Sequence, residues 1–263
     1  MDRLSFLDNA LARPHVPELV RLHARVDLDH RRRPVIVEGD RAFVVRIVRT
    51  DGARLALRIG HEPEDGRDWH LRYGTIAMDA PAAIASILPR AINVPEGGVV
   101  VEGERHAAVL MEWVDGPTLL EAADRAAMAG NHTVLRALAA SLRDAAALLR
   151  QHGVVHGDLA ADNLMMRPNG DLVCVDLDSL TWPGARLGPA GNGTASYRHP
   201  SGRGSAAERD AFAVLVLLAS LHVLAEAPDL RRRHGDPAGT HGGALLLSAW
   251  DLADPDRSRA FAE

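Results

Sequence analysis

Apolar positions in the first half of the chain follow a strand pattern, and those in the second half a helical one. Residues 35–37, 43–48 and 55–59 are runs rich in β-branched and other apolar residues. The polar stretches Glu38-Gly39-Asp40 and Thr50-Asp51-Gly52-Ala53 separate them, which predicts an antiparallel meander. Residues 99–101 and 107–114 predict two more strands. From 134 to 151, Leu135, Leu138, Ala139, Leu142, Ala145, Ala146 and Leu149 recur at helical spacing, and Gly153 ends the helix. Residues 154–180 read strand, loop, strand, loop, strand. The apolar run 211–225 is short for a membrane span and holds Ser220 and His222, so it predicts a buried core helix. Leu4, Leu7 and Leu11 share helical spacing before Pro14 and Pro17 interrupt, and residues 1–33 are set apart as an N-terminal extension. The pattern predicts an α+β protein, with antiparallel strands over 34–112 and mainly helices over 113–263.

Composition narrows the function classes. The 263 residues are 47% hydrophobic and 25% charged, enough for a sizeable core. The formal net charge of −5 offers no basic excess for nucleic acid or an anionic membrane, so neither is expected as a partner. Arg31-Arg32-Arg33 and Arg231-Arg232-Arg233 read as solvated surface. No lysine occurs; all 30 basic residues are arginine, which excludes lysine chemistry altogether. The single cysteine, Cys174, excludes an internal disulfide and is expected to pack as a small buried hydrophobe. The N-terminus carries acids and lacks a long apolar core, unlike a signal peptide, and a soluble cytoplasmic protein is expected.

The chemistry is concentrated in 154–180. Asp158, Asn163 and Asp176 lie on its loops and strand ends, in the pattern H-x-D-L-x-x-x-N followed about a dozen residues later by an aspartate. Phosphoryl transfer from ATP needs positioning and charge neutralisation more than covalent chemistry. Asp158 has the place of the carboxylate that accepts or orients the acceptor hydroxyl. Magnesium prefers hard oxygen ligands and keeps waters, so Asn163 and Asp176 suffice as its protein ligands.

This layout resembles the protein kinase-like superfamily. The nearest resemblance is to bacterial Hanks-type Ser/Thr kinase-like proteins, carried by ALR (56–58), MEWVDG (111–116), HGDL (156–159) and VDLD (175–178). It implies a bilobal protein kinase-like fold, a small antiparallel β N-lobe and a mainly helical C-lobe with ATP and Mg2+ between them. By resemblance, Arg58 stands for the strand lysine, behind Ala56. Met111 is the gatekeeper, and Glu112 and Val114 present backbone groups to adenine. Met165 completes the nucleotide residues. Of the glycine-rich loop only Gly39 keeps its glycine; Arg41 and Val44 occupy the next two glycine places, and Phe43 matches the aromatic tip. Thr194 and Tyr197 belong to G-T-A-S-Y-R-H-P (193–200), where Thr194 is expected to approach Asp158. Asp210 fits the aspartate that bonds the catalytic-loop backbone.

The departures are as informative. The resemblance implies a helix within 67–88 that carries a glutamate to pair with Arg58, but no glutamate lies between Asp65 and Pro95; Asp68 and Asp79 are the acids there. Gly157 replaces the arginine that answers activation-loop phosphorylation, Ala160 a phosphate-binding lysine, and Ser201 the glutamate after the segment's proline. Asp178 replaces a glycine and adds a carboxylate near the metal. The favoured expectation is an ATP/Mg-dependent kinase with protein Ser/Thr as acceptor. The alternatives are a pseudokinase acting as a nucleotide- or protein-binding module and a small-molecule kinase of the aminoglycoside/choline phosphotransferase type.

Overall fold

A computed structural model describes residues 23–39, 42–61, 66–93, 98–101, 104–186, 188, 193–235 and 243–263, and the side chains among them except those of 66–70, 100 and 101. The spaced leucines at 4, 7 and 11, the turn residues Asp40 and Arg41 and the Asp68 side chain lie outside this description. The chain divides into two compact units. One holds Met1–Ala80 and Pro89–Trp113, the other Pro81–Leu88 and Val114–Glu263.

The first unit is built on an antiparallel sheet. Its strands are β1 (Ala24–Val26), β2 (Ile36–Glu38), β3 (Ala42–Arg49), β4 (Arg54–Gly60) and β7 (Ala108–Glu112). They run in the order β1-β3-β4-β7, with β2 on the first half of β3. A two-stranded hairpin, β5 (Val99–Val101) with β6 (Glu104–His106), joins the unit. Because β1 pairs with β3, part of the stretch set apart as an extension belongs to the sheet. Strand residues alternate between faces. Phe43, Val45 and Ile47 of β3, Leu55, Leu57 and Ile59 of β4, and Ala108 and Leu110 of β7 form one face and the unit's core. The registers Val44↔Arg58, Ala56↔Met111 and Arg58↔Val109 put Val44, Ala56, Arg58, Val109 and Met111 on the other. Helix α1 (Gly66–Asp79) is the expected helix of 67–88, ending nine residues early. The remainder, the 3₁₀ turn Ala82–Ile87, belongs to the second unit.

The second unit is mainly helical. Its helices are α2 (Leu119–Met128), α3 (His132–Gln151), α4 (Ala206–Glu226) and the shorter α5 (Leu230–His234), α6 (Ala249–Ala253) and α7 (Arg259–Ala262). Thr118 and Ser205 close capping boxes with Glu121 and Glu208 at the starts of α2 and α4. The start of α3 meets the end of α4, where His132 Nδ1–H donates to Ala225 O at 2.7 Å and Arg136 pairs with Glu226 at 3.0 Å. Leu135, Leu138 and Leu142 of α3 and Leu217, Leu221 and Leu224 of α4 are buried. The expectation that 211–225 is a buried core helix needs correction: Leu215 is 62% and Val223 43% exposed, so α4 buries one face and leaves an apolar strip on the other. Among the described residues no helix is long and apolar enough to cross a membrane. Strands β8 (Leu164–Met166) and β9 (Leu172–Cys174) form a hairpin after α3. Gly116 lies against it: a Cβ there would sit 1.8 Å from Met166 O, so only glycine permits the approach.

Candidate functional site

The second unit brings Asp158, Asn163, Thr194 and Asp210 together in one hydrogen-bonded arrangement. The turn His156-Gly157-Asp158 follows α3, and Val155 pairs with Thr181 in an isolated bridge. Both Asp210 carboxylate oxygens accept from this turn, Oδ2 from His156 N–H at 2.6 Å and Oδ1 from Gly157 N–H at 3.0 Å. Burial pushes the Asp210 carboxyl above its ordinary value, and His156 and these N–H donors oppose the shift. His156 Nε2–H donates to Val175 O at 3.0 Å, and Asp158 N–H donates to His156 Nδ1 at 3.3 Å. Gly157 has φ 82°, and a Cβ there would meet Ser179 Cβ at 2.7 Å and Ser179 O at 3.0 Å. The local path therefore excludes any larger side chain, including the arginine that kinases carry at this place.

Asp158 is fixed from two directions. Its Oδ1 accepts from Thr194 N–H at 2.7 Å and from Thr194 Oγ1–H at 2.8 Å. Its main-chain carbonyl accepts from Asn163 Nδ2–H at 2.9 Å. That bond orients the Asn163 amide and leaves its Oδ1 as the atom for a cation. Asn163 sits in the 3₁₀ turn Ala161–Asn163, and its own carbonyl accepts from Val175 N–H at 2.9 Å. Asp176 comes next, with φ 57° and ψ 62°, a left-handed conformation uncommon for a residue other than glycine. Val175, bonded to both Asn163 and His156, thus ties the residue before Asp176 to the turn His156-Gly157-Asp158. Asp178 follows in the 3₁₀ turn Leu177–Ser179 and is half-buried. Asn163, Asp176 and Asp178 carry hard oxygens of the kind Mg2+ prefers, and among the described residues no group of three or more His, Cys, Asp or Glu side chains is placed to hold a metal. Met165 lies half-buried on β8, opposite Val173 and bridged to Thr118. Cys174, on β9, is fully buried; burial, with Asp210 nearby, pushes its thiol up to about 12 and keeps it protonated.

The first unit holds the residues expected to meet a nucleotide, and here two expectations change. Phe43 is not the tip of a phosphate-covering loop. It lies inside β3, 0% exposed, in the sheet core opposite Ile59. Gly39 N–H donates to Ala42 O at 2.8 Å, which closes a tight turn, and His61 Nε2–H donates to Gly39 O at 2.9 Å. Both backbone groups of Gly39 are therefore engaged within the hairpin. The register puts Val44 beside Arg58, on the face of Ala56 and Met111, so Val44 rather than Phe43 belongs with the candidate nucleotide residues. Alternation along β3 could have shown this in the sequence.

Arg58 is buried, and its Nη1–H donates to Tyr73 Oη at 2.6 Å; Tyr73, on α1, is 0% exposed. The guanidinium also lies 5.9 Å from the Tyr73 ring centroid. Tyr73 is the partner of Arg58 that the sequence did not single out, because the resemblance points to an acid there; its hydroxyl anchors the guanidinium. Met111 is buried on β7, and Glu112 N–H donates to Arg90 O at 2.8 Å while Glu112 Oε2 accepts from Arg90 N–H at 2.8 Å. Val114, buried, opens the second unit.

No curated protein matches the chain. A family model described as the RIO domain matches residues 69–181, less than half of the chain, from α1 through the metal-binding candidates to Thr181. That stretch is similar to the RIO domain, a member of the protein kinase-like superfamily.

Proposed function

We propose that the chain is an ATP-dependent phosphotransferase that uses Mg2+ and passes the γ-phosphoryl group to a hydroxyl, with a protein serine or threonine as the favoured acceptor. The observation that supports this most is the fixing of Asp158. The bonds it receives from Thr194 go to Oδ1, which leaves Oδ2 to meet an acceptor hydroxyl. As the acceptor oxygen forms its bond to the γ-phosphorus, the bond from that phosphorus to the β–γ bridging oxygen breaks. ADP leaves, and Asp158 takes the hydroxyl proton. Asn163 and Asp176, with Asp178 as an additional carboxylate, would hold Mg2+. When bound, Mg2+ neutralises phosphate charge.

The first unit would hold the nucleotide. Arg58, steadied by Tyr73, would bond the phosphates through its guanidinium. Ala56, Val44 and Met111 give an apolar face for adenine, with backbone groups of Glu112 and Val114 reading its edge. The similarity to the RIO domain supports kinase-type chemistry in general terms.

The hairpin at Gly39 favours a second reading, a pseudokinase that binds nucleotide without transferring phosphate. Both backbone groups of Gly39 are engaged internally, so that residue contributes none to a phosphate. Transfer from γ-labelled ATP decides between the readings. Wild type should label a protein acceptor, and Asp158→Ala should not. Equal labelling by both would sink the assignment of Asp158. Nucleotide binding without transfer, across protein and metabolite panels, would establish the pseudokinase. Turnover stimulated only by a metabolite would move the acceptor to the small-molecule class.

A further inference from the structure

The loop between Thr194 and Asp210 is tied at both ends to the same short turn. Thr194 bonds Asp158 through its N–H and its hydroxyl, and Asp210 accepts from His156 N–H and Gly157 N–H. Internal anchors hold the loop in place. Tyr197 Oη–H donates to Gly243 O at 2.8 Å and accepts from Leu245 N–H at 3.2 Å, and the His199 ring packs edge-on to Phe212 at 4.9 Å. Residues 195–209 are thereby kept beside the catalytic turn.

The charge on this loop departs from that of the chain. It carries Arg198, Arg203 and Arg209 against one acid, Glu208, in a protein whose net charge is −5. Glu208 is already engaged, accepting from Ser205 N–H at 2.6 Å and Ser205 Oγ–H at 2.8 Å in the helix cap. Among the described residues, none of the three arginines pairs with a carboxylate, whereas Arg33, Arg46 and Arg136 each do. Arg209 is the least free of the three: its charge acts on the Asp210 carboxylate, its Nε–H is buried, and its Nη1–H donates to Gly204 O at 3.4 Å, so Arg198 and Arg203 are the cations the loop presents to a partner. These two guanidinium groups, at residues 198 and 203, suit a chain bearing several carboxylates better than one compact anion.

We propose that the loop 195–209 is the docking surface for the acceptor, and that the acceptor is an acidic polypeptide segment whose hydroxyl residue is flanked by carboxylates. The acceptor role rests on the phosphotransferase reading; the preference for acidic chains does not.

The test is binding, which is read without any transfer. Fluorescein-labelled peptides with one serine among glutamates, or one serine among lysines, are titrated with the full chain and followed by anisotropy. Wild type should bind the glutamate peptide about tenfold more tightly at low salt, and the gap should close as salt rises. Arg198→Glu/Arg203→Glu should reverse the preference, and the milder Arg198→Gln/Arg203→Gln should abolish it. Either variant with a wild-type melting temperature provides the test. Equal binding of both peptides by wild type, or an acidic preference that survives the substitutions, overturns the proposal. So does displacement of the glutamate peptide by single-stranded RNA more effective than by unlabelled peptide. Labelled transfer to the glutamate peptide is measured in parallel. Preference without transfer would count against the phosphotransferase reading alone.

Discussion

The two units hold their polar groups in different ways. In the second, the candidate catalytic turn is over-determined: Asp210, Thr194, Asn163 and Val175 each fix part of it, and nearly every link is a hydrogen bond between groups close in space but distant in sequence. In the first, a buried guanidinium, that of Arg58, is anchored on the hydroxyl of Tyr73 from the following helix. The comparison teaches that the second unit fixes its candidate residues through a main-chain network, whereas the first steadies its buried cation by side-chain contact.

The largest expected effect comes from the second unit. Asp158→Ala should lower phosphotransfer by about a thousandfold, the usual scale of a lost general base, while the melting temperature stays close to that of wild type. Asp210→Ala should come next, because it leaves the N–H groups of His156 and Gly157 without their acceptors. We expect a loss of about 3 kcal/mol of stability by chemical denaturation.

The pH dependence sharpens that point. The folded Asp210 carboxyl titrates above its ordinary value of 3.8 because burial disfavours its charge. Its protonation therefore adds stability that is fully present below 3.8 and is lost as pH rises through the raised value. Asp210→Asn should remove that part of the pH dependence, an outcome read by denaturation at a series of pH values.

In the first unit, Tyr73→Phe removes the hydroxyl and keeps the ring. ATP affinity should fall roughly tenfold, and stability by about 1–3 kcal/mol, as a buried guanidinium donor loses its acceptor. If the affinity is unchanged while stability falls, Tyr73 is a core residue and no more. The smallest effect is expected for Ser205→Ala, which removes the cap of the helix that carries Asp210. It should cost about 1 kcal/mol by denaturation, with a matching small decline in transfer as the first turn loosens.

Strand alternation and helical spacing made the α+β division legible, and the H-x-D-L-x-x-x-N pattern made the second unit's site legible before any coordinates. Local sequence reveals what is carried on one turn or one strand. It does not reveal which neighbour a buried charge selects across the fold, and so Tyr73, fifteen residues beyond Arg58, stayed hidden behind the search for a glutamate. Phe43 was misplaced for a related reason. A motif gives a place in a pattern, whereas the pairing Val44↔Arg58 decides which side of the sheet each residue faces. The exposed strip of α4 was likewise invisible, because an apolar run all round predicts burial unless its neighbours are known.

The most direct test of the central claim, that the phosphate charge is met by Arg58 in one unit and by a metal held on Asn163 and Asp176 in the other, is calorimetric titration of ATP with and without Mg2+. It is run on wild type, Arg58→Ala and Asp176→Asn. The account predicts tighter binding with Mg2+, a weakening in Arg58→Ala whether or not the metal is present, and loss of the Mg2+ benefit in Asp176→Asn. ATP affinity indifferent to Mg2+ and to both substitutions would contradict it.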